Sequence, residues 1–267
     1  MKTAVLLIGH GSPDREAQEE LLELRDLVAQ ELGRPVLLGV LEFPTDALPR
    51  LQEVLESPQA RGSLIVAQPL LLFDGVHGRY DIPQLAAAAG LLGLEVRLGT
   101  PFGQDRRLVE LYCRRISQLG VGRSDRLLFA GRGSSEARAL AQADNVASAI
   151  ARQAGLGWDV CFTGISDPDL AEGARTALSA KPDRLAVIPY LLHTGILVRR
   201  VRELIMPIAR RAGTPLAVLP HLGNEPEVIE VIVDRIKAML PNDSVKAVDL
   251  LLGSTVARRL APIVAES

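Results

Sequence analysis

Leu6-Leu7-Ile8-Gly9-His10-Gly11-Ser12 returns, in altered form, as Leu127-Leu128-Phe129-Ala130-Gly131-Arg132-Gly133-Ser134. Each stretch is a short aliphatic run that ends in a glycine-flanked residue and a serine, the pattern of a buried parallel strand opening into a loop. A second block follows at nearly the same spacing. Pro69-Leu70-Leu71-Leu72-Phe73-Asp74-Gly75-Val76-His77 is echoed by Pro189-Tyr190-Leu191-Leu192-His193-Thr194-Gly195-Ile196-Leu197. Two blocks in one order at nearly one spacing imply a duplicated domain, since the period is far too long for a solenoid module.

Outward from these blocks, short runs rich in Val, Leu and Ile alternate with longer amphipathic stretches, which predicts parallel sheets covered by helices. In the first half, strands are expected near 2–8, 35–41, 63–72 and 94–98, and helices near 13–32, 45–57, 80–92 and 104–119. In the second half, strands are expected near 125–130, 158–164, 183–192 and 215–219, and helices near 136–153, 169–180, 197–212 and 225–239. Ser12 is placed to cap the first helix, Pro13 suits its first position, and Leu21, Leu24 and Val28 share one face before Gly33 stops it. The stretch from Asp243 to Ser267 is expected to pack on the second half as a strand or helix. The fold class is therefore α/β: two tandem Rossmann-like lobes, each a four-stranded parallel sheet flanked by helices. The lobes are 1–122 and 123–267, separated near Gly120 to Ser124, with a ligand cleft between them.

Composition narrows the function. Aromatic residues are 3% of the chain and the net charge is -2, which argues against stacked bases and against a phosphate-backbone partner. No apolar run reaches membrane-spanning length. Cys113 and Cys161 are expected to be buried thiols rather than a disulfide, and the protein is read as cytoplasmic. There is no Walker loop, no Gly-x-Gly-x-x-Gly after a strand, no Cys-x-x-Cys pair and no Gly-x-Ser-x-Gly elbow. Gly131-Arg132-Gly133-Ser134-Ser135 lacks the glycine spacing of a dinucleotide loop, so nothing here implies ATP.

His10 and His77 both follow strands, in glycine-bearing loops at the ends where open parallel sheets hold their ligands. Neutral imidazoles suit cobalt, iron, nickel or zinc, and two protein ligands leave coordination positions open for exchange. That pattern fits a metal being delivered better than one held structurally. Glu42, at the end of the second strand, can join them as a ligand or proton acceptor. His193 and His221 end strands in the second half, but Leu197 stands at the position of His77 and Arg132 at that of His10, so the histidine pair is not duplicated.

Taken together, Gly9-His10-Gly11-Ser12, Pro69 to Pro83 with His77, Gly131 to Ser135 and Pro189 to Leu197 resemble the sirohydrochlorin chelatases over nearly the whole chain, in their long duplicated form. The resemblance implies insertion of Co2+ or Fe2+, with nickel as the related alternative, into the tetrapyrrole sirohydrochlorin for cobalamin or sirohaem synthesis. No nucleotide and no tightly bound cofactor are implied, the metal being a transient substrate. His10 and His77 match the family's metal-handling histidines, and Glu42 falls where an acidic partner is expected. A carboxylate-rich macrocycle calls for cationic and polar contacts. Arg79, Arg132, Arg199 and Arg200 are the cationic candidates, with Ser12, Ser134 and His193 beside them. Pro13 stands where the first motif commonly continues with arginine, and Arg15 comes two positions later. One chain supplies both lobes, which is consistent with a monomer. A non-catalytic tetrapyrrole or metal carrier with the same fold is the rival from another class.

Overall fold

The computed structural model describes residues 2–91 and 93–241 and contains two separate parallel sheets. The first holds β1 (Lys2–Gly9), β2 (Val36–Val40), β3 (Ser63–Pro69) and β4 (Glu95–Leu98) in the order β2-β1-β3-β4. The second holds β5 (Arg126–Gly131), β6 (Gly157–Phe162), β7 (Leu185–Pro189) and β8 (Leu216–Val218) in the order β6-β5-β7-β8. Matched registers make the duplication structural: Gly9 lies opposite Val40 as Gly131 lies opposite Phe162, and Ile8 opposite Pro69 as Ala130 opposite Pro189. In each sheet the chain leaves the first strand toward one side and returns on the other, so a crevice opens beyond the carboxyl ends of the two central strands.

The helices are α1 (Arg15–Leu32), α2 (Leu51–Leu55), α3 (Ile82–Leu91), α4 (Arg106–Gln118), α5 (Ala137–Ala154), α6 (Leu170–Ser179), α7 (Ile196–Ala212) and α8 (Pro226–Met239). Most expected elements recur within a few residues. The helix expected over 45–57 shrinks to α2, because Pro49 lacks the N–H that an interior helical position needs. Its carbonyl instead accepts from Val40 N–H, and Thr45 and Leu48 form an isolated bridge. The strands expected over 63–72 and 183–192 stop at Pro69 and Pro189. A last bond from Leu70 N–H to the Ile8 carbonyl, or from Tyr190 N–H to the Ala130 carbonyl, holds the chain before it turns away. The cap of α1 is Asp14, whose carboxylate accepts from Glu16 N–H; Ser12 instead accepts from Asp14 N–H, and Pro13 lies ahead of the cap. Leu21, Leu24 and Val28 are buried as expected, and Gly33 ends the helix in the left-handed conformation. The expectation for Asp243 to Ser267 lies outside the described residues.

Three apolar clusters organise the interior. One covers the outer face of the first sheet under α2 and α3, and one the outer face of the second under α6 and α7. The largest runs between the sheets and draws on both halves of the chain. Helices near the end of each half cross over: α8 packs on α1 and β3, while α4 packs on α5 and α8. Tyr112 of α4 is fully buried there, and its hydroxyl donates to the carbonyls of Pro189 and Pro220 in the other half. Its ring lies beside Tyr190, which stacks on Phe73 and Phe129. Among the described residues no helix is long and apolar enough to cross a membrane. Cys113 and Cys161 are free thiols, and burial pushes Cys161 up to about 12, so neither is built as a nucleophile.

Removing the Tyr112 hydroxyl takes one of two donors from each carbonyl, since Leu191 N–H still reaches Pro189 and Arg115 still reaches Pro220. Tyr112→Phe is expected to lower stability by about 0.5–1.5 kcal/mol, the net worth of an ordinary hydrogen bond, read from urea denaturation, while leaving the circular dichroism spectrum unchanged.

Candidate metal-handling site

The site begins with the contact between the β1 and β2 loops. Gly11 has φ +88, and a Cβ there would lie 1.9 Å from the Glu42 carbonyl oxygen, so only glycine permits the approach. Glu42 N–H donates to the His10 carbonyl at 2.9 Å, which fixes the two loops side by side. The third component arrives from the β3 loop, where His77 opens a single π-helical turn, His77–Asp81, that runs into α3.

These three loops bring His10, Glu42 and His77 together. His10 Nε2 lies 4.0 Å from Glu42 Oε2, and His77 Nε2 lies 3.9 Å from Glu42 Oε1. The two imidazoles meet edge to face, with centroids 4.8 Å apart. One ligand atom from each residue falls within 4.8 Å of the others, and this is the single such cluster of three among the described residues. Metal–ligand bonds of about 2.0–2.2 Å place donors on either side of one ion within a comparable span after small side-chain rotations.

Hydrogen bonds set the state of each ring. His10 Nδ1 lies 3.1 Å from the Gly11 carbonyl, which assigns the proton to Nδ1 and leaves the Nε2 lone pair directed into the cluster. Burial and then the neighbouring Arg132 guanidinium hold the His10 imidazolium below its usual range, so the ring is neutral at pH 7 and able to ligate. His77 Nδ1 lies 2.6 Å from Asp81 Oδ2, the arrangement in which a carboxylate orients an imidazole and makes it a stronger donor to a metal. Asp81 was not singled out from the sequence. Its spacing of four from His77 was the available signal, but such spacing is routine on a helix.

A cavity of about 640 Å³ lies between the lobes, within the range of small-molecule sites. His10, Ser12, His77, Arg132, Ser134 and His193 all line it, as does Arg200. Ser12 and Ser134 each also accept a backbone N–H two residues on, from Asp14 and Glu136, so they order equivalent loops in the two halves. Arg79 departs from the expected arrangement: it does not line the cavity, and its Nη1 donates to Glu136 at 2.6 Å. The attraction of that carboxylate, presented across the cleft by the start of α5, draws it away. Its duplicate, Arg199, pairs with Asp14 and Glu16 at the start of α1. The adjacent Arg200 faces the cavity instead, as consecutive helical positions require. Arg15 is exposed and pairs with Glu19, so it supplies no contact to the cavity.

Four exposed apolar side chains, Phe43, Val76, Ile165 and Ile196, also line the cavity, with Ile165 80% exposed. They form two duplicate pairs: Phe43 and Ile165 follow equivalent strands, and Val76 and Ile196 sit in equivalent positions of the repeated block. Exposed apolar groups facing one another across a cleft suit a flat, largely apolar ligand. Glu42 and His77, next to Phe43 and Val76, are not duplicated, since Gly164 and Leu197 stand in their places.

His193 and His221 gather round Glu20 of α1. Glu20 accepts from Thr194 N–H at 2.6 Å and lies 2.9 Å from His221 Nε2, while His193 Nδ1 stands 3.7 Å away, beyond a hydrogen bond. Burial alone would raise the Glu20 carboxyl, but the facing His193 and His221 and the Thr194 N–H outweigh it and hold the group at about 2. Glu20 thus ties the first half to two loops of the second. Nothing in the sequence marked it among the many glutamates of α1.

Two parallel α/β lobes, closed on an imidazole–carboxylate–imidazole cluster contributed by one of them, define a two-lobed protein of chelatase-like fold. The CbiX family model matches the chain twice, over residues 4–119 and 126–239. The chain belongs to the CbiX family. It is 27% identical over 244 residues to a sirohydrochlorin ferrochelatase of Priestia megaterium, covering 89% of this chain and 90% of that one. It is also 23% identical to a sirohydrochlorin cobaltochelatase of the same organism, over 87% of this chain and 78% of the relative. Among solved structures, the sirohydrochlorin chelatase SirB from Bacillus subtilis subspecies spizizenii, in complex with cobalt, shares the fold at a TM-score of 0.73. That match has 24% identity and covers 89% of this chain and 94% of that one.

The depressed Glu20 carboxyl has a consequence for stability. A group held at about 2 instead of the usual 4.5 contributes stability that is fully present above pH 4.5 and disappears as pH falls toward 2. Glu20→Gln is therefore expected to be less stable than the native chain at pH 7, with the difference closing between about pH 4.5 and 2. Denaturation midpoints measured across that range check it.

Proposed function

We propose that this chain inserts Co2+ or Fe2+ into sirohydrochlorin, the reaction named for its ferrochelatase and cobaltochelatase relatives. The observation that carries the reading is the convergence of His10, Glu42 and His77, with the two histidines lining a cavity to which both lobes contribute exposed apolar residues. In this reading residues 1–122 handle the metal and 123–267 mainly hold the macrocycle. The metal is a transient substrate: two imidazoles and one carboxylate leave coordination positions open, so the ion is bound without being locked in. His10 is neutral and presents Nε2, while His77 is oriented by Asp81.

Metal entry requires two pyrrole protons to leave the macrocycle. Glu42, a carboxylate open to solvent, is placed to accept one, and His77 the other once its Nε2 is freed as the ion passes to the ring, with Asp81 offsetting the imidazolium charge. Phe43 and Val76 of one lobe and Ile165 and Ile196 of the other give the flat ring apolar surfaces, and Arg200 offers a cation to its carboxylates. Ser12, Ser134 and His193 complete the polar lining. No step calls for a nucleotide. Two free thiols suit the cytoplasm, where such a reaction would take place.

Anaerobic assays with sirohydrochlorin and each metal, followed by absorbance, test the reading. His10→Ala and His77→Ala are each expected to slow insertion by about 100-fold or more, and Glu42→Gln by a smaller factor. Unchanged turnover in both histidine variants would end the proposal. Sirohydrochlorin binding with no acceleration of insertion by the native chain would assign it as a carrier.

A further inference from the structure

Arg132 occupies the second lobe's counterpart of the His10 position and reaches across the cleft to His10 itself. Its Nη2 donates to His10 Nε2 at 2.8 Å. With Nδ1 directed at the Gly11 carbonyl, Nε2 carries the single lone pair this imidazole can give a metal. Guanidinium has N–H donors and no acceptor, so it can neither bridge the imidazole to an ion nor share that nitrogen with one. It also repels an arriving dication.

The surroundings of Arg132 make it a cation without a settled anionic partner. Burial disfavours its charge, and Glu42 is the facing carboxylate that offsets this. No carboxylate lies within salt-bridge distance of it among the described residues, whereas Arg79, Arg107, Arg115, Arg126 and Arg199 each have one. Arg132 also lines the cavity, so carboxylates arriving there would offer it a stronger partner than a neutral imidazole.

We propose that Arg132 gates His10: its guanidinium closes the imidazole to metal while the cavity is empty, and the carboxylates of the macrocycle draw it away and open the metal site. Macrocycle binding then promotes metal binding, and linkage makes the effect reciprocal. The first half of the proposal needs only His10 and Arg132. The second half rests on the macrocycle reading given above.

Two equilibrium titrations test it, neither depending on turnover. Co2+ is titrated by calorimetry into the native chain, Arg132→Ala, Arg132→Gln and His10→Ala, all without macrocycle. Zinc uroporphyrin, a carboxylate-rich flat ring whose centre is already filled, is titrated by fluorescence without Co2+. Arg132→Ala is expected to bind Co2+ about 10-fold or more tighter than the native chain, the worth of a charged hydrogen bond, and to bind zinc uroporphyrin more weakly. Arg132→Gln keeps a donor without the charge and should fall between the two. His10→Ala should lose most Co2+ affinity. Unaltered Co2+ affinity in both Arg132 variants, with binding intact, overturns the gate and leaves the metal site standing. Unaltered zinc uroporphyrin affinity overturns the coupling to macrocycle. Weakening of both ligands in both variants makes Arg132 a framework residue and also overturns the proposal. Absence of Co2+ binding in every variant and in the native chain overturns the gate together with the metal-handling reading.

Discussion

Parallel pairing of β1 with β2 on one side and β3 on the other is the constraint from which the site follows. Parallel strands release their chains at the same end, so the loops carrying His10, Glu42 and His77 emerge side by side although their residues are far apart in sequence. The approach is then tightened by Gly11, which accepts the Glu42 carbonyl where any side chain would collide. The π-helical turn adds the last adjustment, setting His77 and Asp81 so that one orients the other. Loops position the chemistry, but the sheet decides that they meet.

Duplication explains both the symmetry and the asymmetry of the molecule. Elements that serve the frame were retained in both copies: the strand order, the serine that orders the first loop, the cross-cleft pairs Arg79–Glu136 and Arg199–Asp14, and the apolar residues at the cavity mouth. The three positions of the imidazole–carboxylate cluster were not. Arg132, Gly164 and Leu197 stand where the first copy has His10, Glu42 and His77, and none of the three can ligate an ion. A flat ligand between two lobes has two faces to cover and one centre to fill, so paired apolar surfaces with a single polar cluster are what such a ligand requires.

The cleft is also mechanically defined. α4 and α8 cross between halves, Tyr112 donates to carbonyls of the opposite half, and Glu20 grips Thr194 and His221. One apolar core runs between the two sheets, so the lobes are held at a set separation and are not joined by a simple linker. A fixed gap favours a ligand of one thickness. It also lets Arg132 of one lobe reach His10 of the other.

The sequence by itself determined the alternation of strands and helices, the duplication and the three residues, His10, Glu42 and His77, that the fold brings together. Each of these is carried by local pattern: aliphatic runs, glycine-flanked loop residues and repeated blocks at one spacing. It misplaced the cap of α1 and the helix over 45–57, where a neighbouring carboxylate and a proline override periodicity. Tertiary structure alone decided the partners. Arg79 turns to Glu136 and Arg200 to the cavity, Asp81 orients His77, Glu20 joins the halves and Arg132 covers His10, because such choices depend on distances between residues that sequence spacing does not encode. Electrostatic contacts act through space, and only the folded chain sets which charges are near.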